Sequence, residues 1–228
     1  GFLDADGKQV PYGANGLALI ETITDEHVMP ELKECKFRIA CDVTNPLCGA
    51  NGCSAVFGPQ KGATQTMIAK MDTWLMNYAK KTKEKYSGAN PNRAGTGAAG
   101  GLGFAFLSYT NAVLESGVKI ILEETKLESF IKNADFVITG EGRLDGQTVM
   151  GKAPIGVAEI AKKYEKKVLA FGGCVAEDAT LCNQYGIDAF FPILRTVTTL
   201  KEAMDFNHAK ENLSAAVEQV FRLIQSFK

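Results

Sequence analysis

The chain has 228 residues, 46% of them hydrophobic, and 25 basic against 26 acidic side chains leave a net charge of -1. That length buries one large core or two modest ones, and the balanced charge lacks the electrostatic footprint of a nucleic-acid or membrane-surface binder. No apolar stretch is long enough to span a bilayer, and Gly1-Phe-Leu-Asp-Ala-Asp-Gly7 lacks the basic and apolar regions of a signal peptide, so a cytoplasmic location is expected.

In chain order, residues 37–43 (Phe-Arg-Ile-Ala-Cys-Asp-Val) read as a strand that ends in the turn Thr44-Asn-Pro-Leu-Cys-Gly49. Asp42 and Asn45 sit on that turn. Next comes Phe57-Gly-Pro-Gln-Lys-Gly-Ala63, which places Gln60 and Lys61 just ahead of a helix N-terminus, where a lysine can meet an anion favoured by the helix amides. A plain turn with an exposed lysine is the competing reading. Residues 65–86 carry Ile68, Met71, Leu75 and Tyr78 on one stripe with lysines opposite, which predicts a surface helix with a core-facing side. The glycine-dense run Gly95-Thr-Gly-Ala-Ala-Gly-Gly-Leu-Gly103 lets Gly97, Gly100 and Gly101 bring bare backbone to a phosphate or to a neighbouring helix. It fits a dinucleotide fingerprint poorly, because no strand precedes it and no acid stands at the expected distance, so an oxidoreductase reading is weak.

The six cysteines form no C-x-x-C pair and no disulfide scaffold. Cys41, Cys48 and Cys53 beside Asp42 suggest a metal cluster only weakly, since a free cysteine also serves as a small buried hydrophobe. His27 and His208 stand apart and are read as incidental.

From about residue 133 strands and helices alternate: strands at 136–139, 167–171 and 188–193, helices at 154–164 and 176–185, and a last helix at 199–227. Alternation of this kind implies a parallel sheet, with ligands held beyond the carboxyl ends of its strands in the loops 140–153, 172–177 and 194–198. The first of these loops holds Glu141, Arg143, Asp145, Gln147, Thr148, Gly151 and Lys152, far more polar chemistry than a simple connection needs. Gly146-Gln-Thr-Val-Met-Gly-Lys-Ala153 nearly satisfies the P-loop pattern, yet Ala153 replaces the magnesium-binding hydroxyl and acidic residues separate it from its strand. It therefore reads as a different phosphate loop, with Lys152 as the cation and Asp145 or Glu141 available to Mg2+, which takes one or two carboxylates plus phosphate oxygens.

Taken together, Asp42-Val-Thr-Asn-Pro-Leu-Cys-Gly49, Phe57-Gly-Pro-Gln-Lys-Gly-Ala63, the 95–103 run, and Gly140-Glu-Gly-Arg-Leu-Asp-Gly-Gln-Thr148 with Gly151-Lys-Ala-Pro-Ile-Gly156 resemble the motif set of the bacterial type I glycerate kinases. The resemblance covers essentially the whole chain. It implies ATP- and Mg2+-dependent phosphorylation of D-glycerate to 2- or 3-phosphoglycerate, and an α/β fold of two lobes around a cleft. Residues 1–132 would form part of an inserted α/β lobe with glycine-rich loops, and 133–228 the C-terminal part of a Rossmann-like lobe with a parallel sheet. Family members are usually longer, and their N-terminal segment has no counterpart here, so an unpaired sheet edge is expected, with the missing segment or a second copy as its partner. A non-catalytic fragment that binds an anionic metabolite is the alternative.

Kinase chemistry asks for alignment, charge neutralisation and a base. Residue chemistry and the resemblance together give Lys61 and Lys152 to phosphates, and Arg143 to the glycerate carboxylate or the transferring phosphate. Asp145 or Asp42 takes the base or metal role, with Glu141 as the other metal candidate. Asn45, Gln60, Gln147, Thr148, Gly97, Gly100, Gly101 and Gly151 are the remaining substrate- or phosphate-binding candidates.

Overall fold

The computed structural model describes residues 1–227, so Lys228, the end of the expected 133–228 section, lies outside the described residues. The chain divides into two compact units, the first Gly1–Gly117 and the second starting at Val118. The division comes earlier than 132/133 because Leu127 and Ile131 pack into a core with Val137 and Ile155 of the second unit.

In the first unit β1 (Phe2–Leu3) and, after α1 (Ala14–Leu17), β2 (Thr22–Ile23) pair antiparallel. β3 (Arg38–Ala40) is shorter than the expected 37–43 strand. Its parallel partner, residues 113–115, ends at Glu115, and the last ladder bond runs from the Cys41 amide to the Glu115 carbonyl (2.8 Å). Then come α2 (Cys53–Phe57), α3 (Gln65–Lys85), α4 (Leu102–Tyr109) and β4 (Val113–Glu115), the partner of β3. α3 starts where Thr64 Oγ1 accepts the Met67 amide (3.3 Å), satisfying one orphan donor of the first turn. As its periodicity predicts, it buries Ile68, Leu75 and Tyr78 on one stripe. Tyr78 meets Phe104 edge to face at 5.3 Å, above a core that includes wholly buried Leu47. Each such large apolar side chain contributes about 1.5–3 kcal/mol.

The second unit holds α5 (Gly117–Glu124), α6 (Leu127–Ile131), β5 (Phe136–Leu144), α7 (Ala153–Lys163), β6 (Lys167–Val175), β7 (Ala189–Pro192), α8 (Leu200–Ala203) and α9 (Phe206–Gln225). The strands form a parallel sheet in the order β5-β6-β7. α7 covers one face, its Ile155 and Ala158 against Val137, Val168 and Ala170, while Val220 of α9 packs with Leu169 and Phe171 on the other. Period-two alternation in β6 supplies both faces, as a covered parallel strand requires.

Three local expectations are corrected. β5 does not stop at Thr139 but continues through Glu141 and Arg143, because β6 pairs with it residue by residue as far as Val175. The segment Glu177–Tyr185 is 3₁₀ rather than α-helical. The single helix expected at 199–227 is two: Thr199 closes a capping box with Glu202 on α8, and Asp205 accepts the amides of Asn207 (3.1 Å) and His208 (3.0 Å) to start α9. Among the described residues no helix is long and apolar enough to cross a membrane.

Candidate functional site

Because β5 extends to Leu144, Glu141 and Arg143 project from the carboxyl end of a strand rather than from a loop. Leu144, wholly buried, anchors that end. The chain then turns: the Asp145 carboxylate Oδ1 accepts the Gln147 amide at 3.0 Å, a local side-chain turn, and a short 3₁₀ segment, Thr148–Met150, ends at left-handed Gly151. Lys152 follows at the N-cap of α7. Its ammonium lies 3.8 Å from Glu141 Oε2 and 3.5 Å from Asp145 Oδ1, while Arg143 Nε lies 3.2 Å from Asp145 Oδ2. Two acids and two bases thus neutralise one another within a few ångströms. Both carboxylates are mostly shielded, at 19% and 16% exposure, whereas the Arg143 side chain is 65% exposed and has room to swing.

Thr148 lies beneath this cluster with no exposed surface. Its hydroxyl accepts the Asp145 amide (3.1 Å) and donates to Glu141 Oε1. A threonine so placed has its hydroxyl committed to the Asp145 turn and to Glu141. Cys182, also buried, packs its Sγ 4.0 Å from the Asp145 carbonyl; burial first, then the nearby Glu141 charge, pushes its thiol pKa up and keeps it neutral. Asp178, which sequence reasoning missed, sits after β6 with its carboxylate against Gly146, where a Cβ would come within 2.6 Å of Oδ2. It lies one residue past the second expected rim loop, in the first turn of the 3₁₀ segment Glu177–Tyr185, so nothing in the sequence signalled it.

A divalent cation fits the donor set in one way. Lys152 already places a positive charge between Glu141 and Asp145, so two carboxylates flank a single cation position. Among the described residues no three His, Cys, Asp or Glu side chains gather into a metal cage, so the remaining ligands would be phosphate oxygens and water. The same holds for the cysteine set. Cys53 Sγ donates to the Leu47 carbonyl and Cys41 Sγ to that of Val43, both at 3.3 Å. Burial, and secondarily Asp72, pushes the Cys48 thiol up to about 12.

In the first unit, Asp42 Oδ1 accepts the Gly117 amide (3.0 Å), Asn45 Nδ2 donates to the Asn51 carbonyl (3.0 Å), and the Asn45 carbonyl accepts the Gly97 amide (2.9 Å). Asn45 is thus a brace between the turn and the glycine run. Gly97 and Gly101 are closely packed: a Cβ would lie 2.3 Å from the Pro46 carbonyl oxygen and 2.8 Å from Leu47, respectively. Gly100 differs, with φ +70 and open space around it. Gly100, Gly101 and Lys61 line one cavity of about 810 Å³, otherwise mostly apolar, with Phe57, Met71 and Leu75 in its wall. Gln60 is exposed on the 3₁₀ turn Pro59–Lys61 and lies outside that lining.

The architecture is that of an α/β protein with parallel sheets, the class that holds small ligands beyond the carboxyl ends of its strands. The sequence pattern of the glycerate kinase family matches residues 1–225, and the chain belongs to that family. It is 42% identical to the glycerate 2-kinase of Escherichia coli K12 over 95% of this chain and 56% of the relative, and 40% identical to a Haemophilus influenzae glycerate kinase over 97% and 58%. A crystal structure from Salmonella typhimurium LT2, described as a glycerate kinase 2, superposes with a TM-score of 0.81 at 38% identity, covering all of this chain and 58% of that one. The chain therefore spans a little over half the length of these relatives.

Proposed function

We propose that the chain carries phosphoryl-transfer machinery of a glycerate kinase, moving the γ-phosphoryl group of ATP to a hydroxyl of D-glycerate. The observation that carries this reading is the group of Glu141, Arg143, Asp145 and Lys152 gathered beyond the end of β5 in a chain of this family. In the transfer, the hydroxyl proton passes to a carboxylate, a bond forms from that oxygen to phosphorus, and the bond to the ADP oxygen breaks. Lys152 and Lys61 are assigned to phosphate oxygens, and exposed Arg143 to the glycerate carboxylate or the transferring group, which its planar fork matches. Asp145 is assigned the base or cation-holding role; Asp42, with one oxygen committed to Gly117, is the alternative base. Glu141 and Asp145 would hold Mg2+, which when bound neutralises phosphate charge. Gln60, Gln147 and Asn45 are assigned to orienting hydroxyls, and Gly97, Gly100, Gly101 and Gly151 to backbone contacts with phosphate.

The product assigned is 2-phosphoglycerate, in keeping with the name of the E. coli relative. In this reading the first unit is part of an inserted lobe, the second is part of a Rossmann-like lobe, and the setting is the cytoplasm. The test is ADP release from D-glycerate and Mg-ATP in a coupled assay, with the product's phosphorus NMR spectrum identifying the esterified hydroxyl. A signal for 3-phosphoglycerate overturns the product assignment. Release unchanged by Asp145→Asn overturns the site.

One observation favours a second reading. β5 is hydrogen-bonded on one side only among the described residues, and its Ile138 is 48% exposed. A folded unit with such an edge binds its anion yet turns over only when another segment, or a second copy, supplies the neighbouring strand. Turnover that appears only on co-expression with the N-terminal region of a relative selects this reading.

A further inference from the structure

Resting on the proposed cation-holding role of Glu141 and Asp145, we propose that Thr148 is the positioning residue of the site: it fixes Glu141 so that a single oxygen, Oε2, faces the cation position shared with Asp145. A hydroxyl has one proton to give and accepts through its lone pairs. Thr148 Oγ1 accepts the Asp145 amide at 3.1 Å, so its own proton must go elsewhere, and the acceptor in reach is Glu141 Oε1. The relay from amide to hydroxyl to carboxylate therefore sets Glu141 as a pure acceptor at that oxygen. It also ties the carboxylate on β5 to the backbone of the turn that carries Asp145.

The remaining Glu141 oxygen is the one that lies 3.8 Å from Lys152, while Asp145 approaches the same ammonium at 3.5 Å. The relay thus sets the spacing of both carboxylates about one point. Thr148 is wholly buried, and Leu144, also wholly buried, fixes the end of the strand from which the turn departs, so the hydroxyl has no freedom to serve a ligand instead. Residues that support a ligating side chain commonly matter nearly as much as the ligands themselves, because an unheld carboxylate must lose rotamer freedom each time a cation binds.

Two substitutions separate hydroxyl from bulk. Thr148→Val keeps the shape and removes the relay; Thr148→Ser keeps the relay and removes a methyl. Mn2+ binding to the folded polypeptide, followed by the EPR signal of free Mn2+, should weaken about tenfold or more in the valine variant and stay within about threefold of wild type in the serine variant. A crystal structure of the valine variant should show the Glu141 carboxylate turned away from Lys152. Should the valine variant not fold, Thr148→Cys, a weak donor of similar volume, is read in the same way.

Mn2+ affinity and a Glu141 position both unchanged in the valine variant overturn the proposal, as does a serine variant as impaired as valine. If wild type itself binds no Mn2+, the cation role falls while the crystal structure still decides the relay. In that case a displaced Glu141 upholds the positioning, and an undisplaced one overturns it.

Discussion

Two segments of this protein are dense in glycine, residues 95–103 and 140–151, and they differ in what stands between the glycines. In the first, glycine is removed bulk: Gly95 Cβ would stand 2.7 Å from Leu114, and Gly103 Cβ 2.2 Å from the Gly95 carbonyl oxygen, so backbone lies on backbone. In the second, Gly140 and Gly146 pack as closely, a Cβ standing 2.3 Å from the Phe171 carbonyl oxygen and 2.6 Å from Asp178, but Gly142 and Gly151 separate charges. A methyl group added at Gly142 or Gly151 would meet nothing within 4 Å, yet between and beside these two positions Glu141, Arg143, Asp145 and Lys152 converge. Glycine content alone therefore says little about a ligand site; what the intervening residues carry decides it.

Lys152→Ala tests this contrast most severely. Removing the ammonium that pairs with both carboxylates should lower turnover by roughly 10²–10³-fold in the coupled ADP assay, the size seen when one electrostatic donor is lost, while the urea midpoint hardly moves. Equal losses of stability and turnover would mean that the charged segment is structural too. Next in size is Gly103→Ala, expected to destabilise the protein by about 3 kcal/mol or more in urea unfolding, because the new methyl overlaps the Gly95 carbonyl, and the turn that carries it would have to shift. Gly100→Ala sharpens the contrast. With open space and only its left-handed backbone to offend, it should cost about 1–2 kcal/mol of stability; a larger fall in Mg-ATP affinity by calorimetry would support the phosphate contact assigned to Gly100, and unchanged affinity would count against it.

The smallest effect concerns pH. Burial pushes the Asp188 carboxyl up, but the Lys162 ammonium at 2.5 Å and the Val168 amide at 2.7 Å outweigh it, so its pKa stands below the usual aspartate range. A depressed carboxyl contributes stability that is present above its unfolded pKa and is lost as pH falls through its folded pKa. The stability difference between wild type and Asp188→Asn should therefore be full near neutrality and shrink below about pH 4, as followed by thermal melts across the acid range.

How much of this was legible in the sequence differed by kind of signal. α3 was readable nearly to the residue, because a stripe of Ile68, Leu75 and Tyr78 at helical spacing is a local fact. The parallel sheet followed from alternation of strands and helices, but the rim loops are shorter than expected, because β5 runs on to Leu144 and β6 to Val175 rather than stopping at 139 and 171. The far half of β5 was not readable, since Gly140, Glu141 and Gly142 have little strand preference of their own; they are extended because β6 is there to pair with them. The candidate cluster was legible as a set of residue types but not as a geometry. Nothing in the string distinguishes Thr148, buried and committed to Glu141, from Gln147 one position earlier, which is exposed. Burial is a tertiary property, and only the fold shows the threonine hydroxyl tied to Glu141.

The one-sided strand β5 has a consequence for handling the protein. Its first half, Phe136 to Thr139, carries no charge, while its second half carries Glu141 and Arg143. Any stray chain that zips onto it must start at the uncharged end and is discouraged as it advances, for like molecules would bring matching charges into register. Shelf life in concentrated solution should accordingly respond to a single lysine placed at Ile138, long before any change is visible in the fold itself.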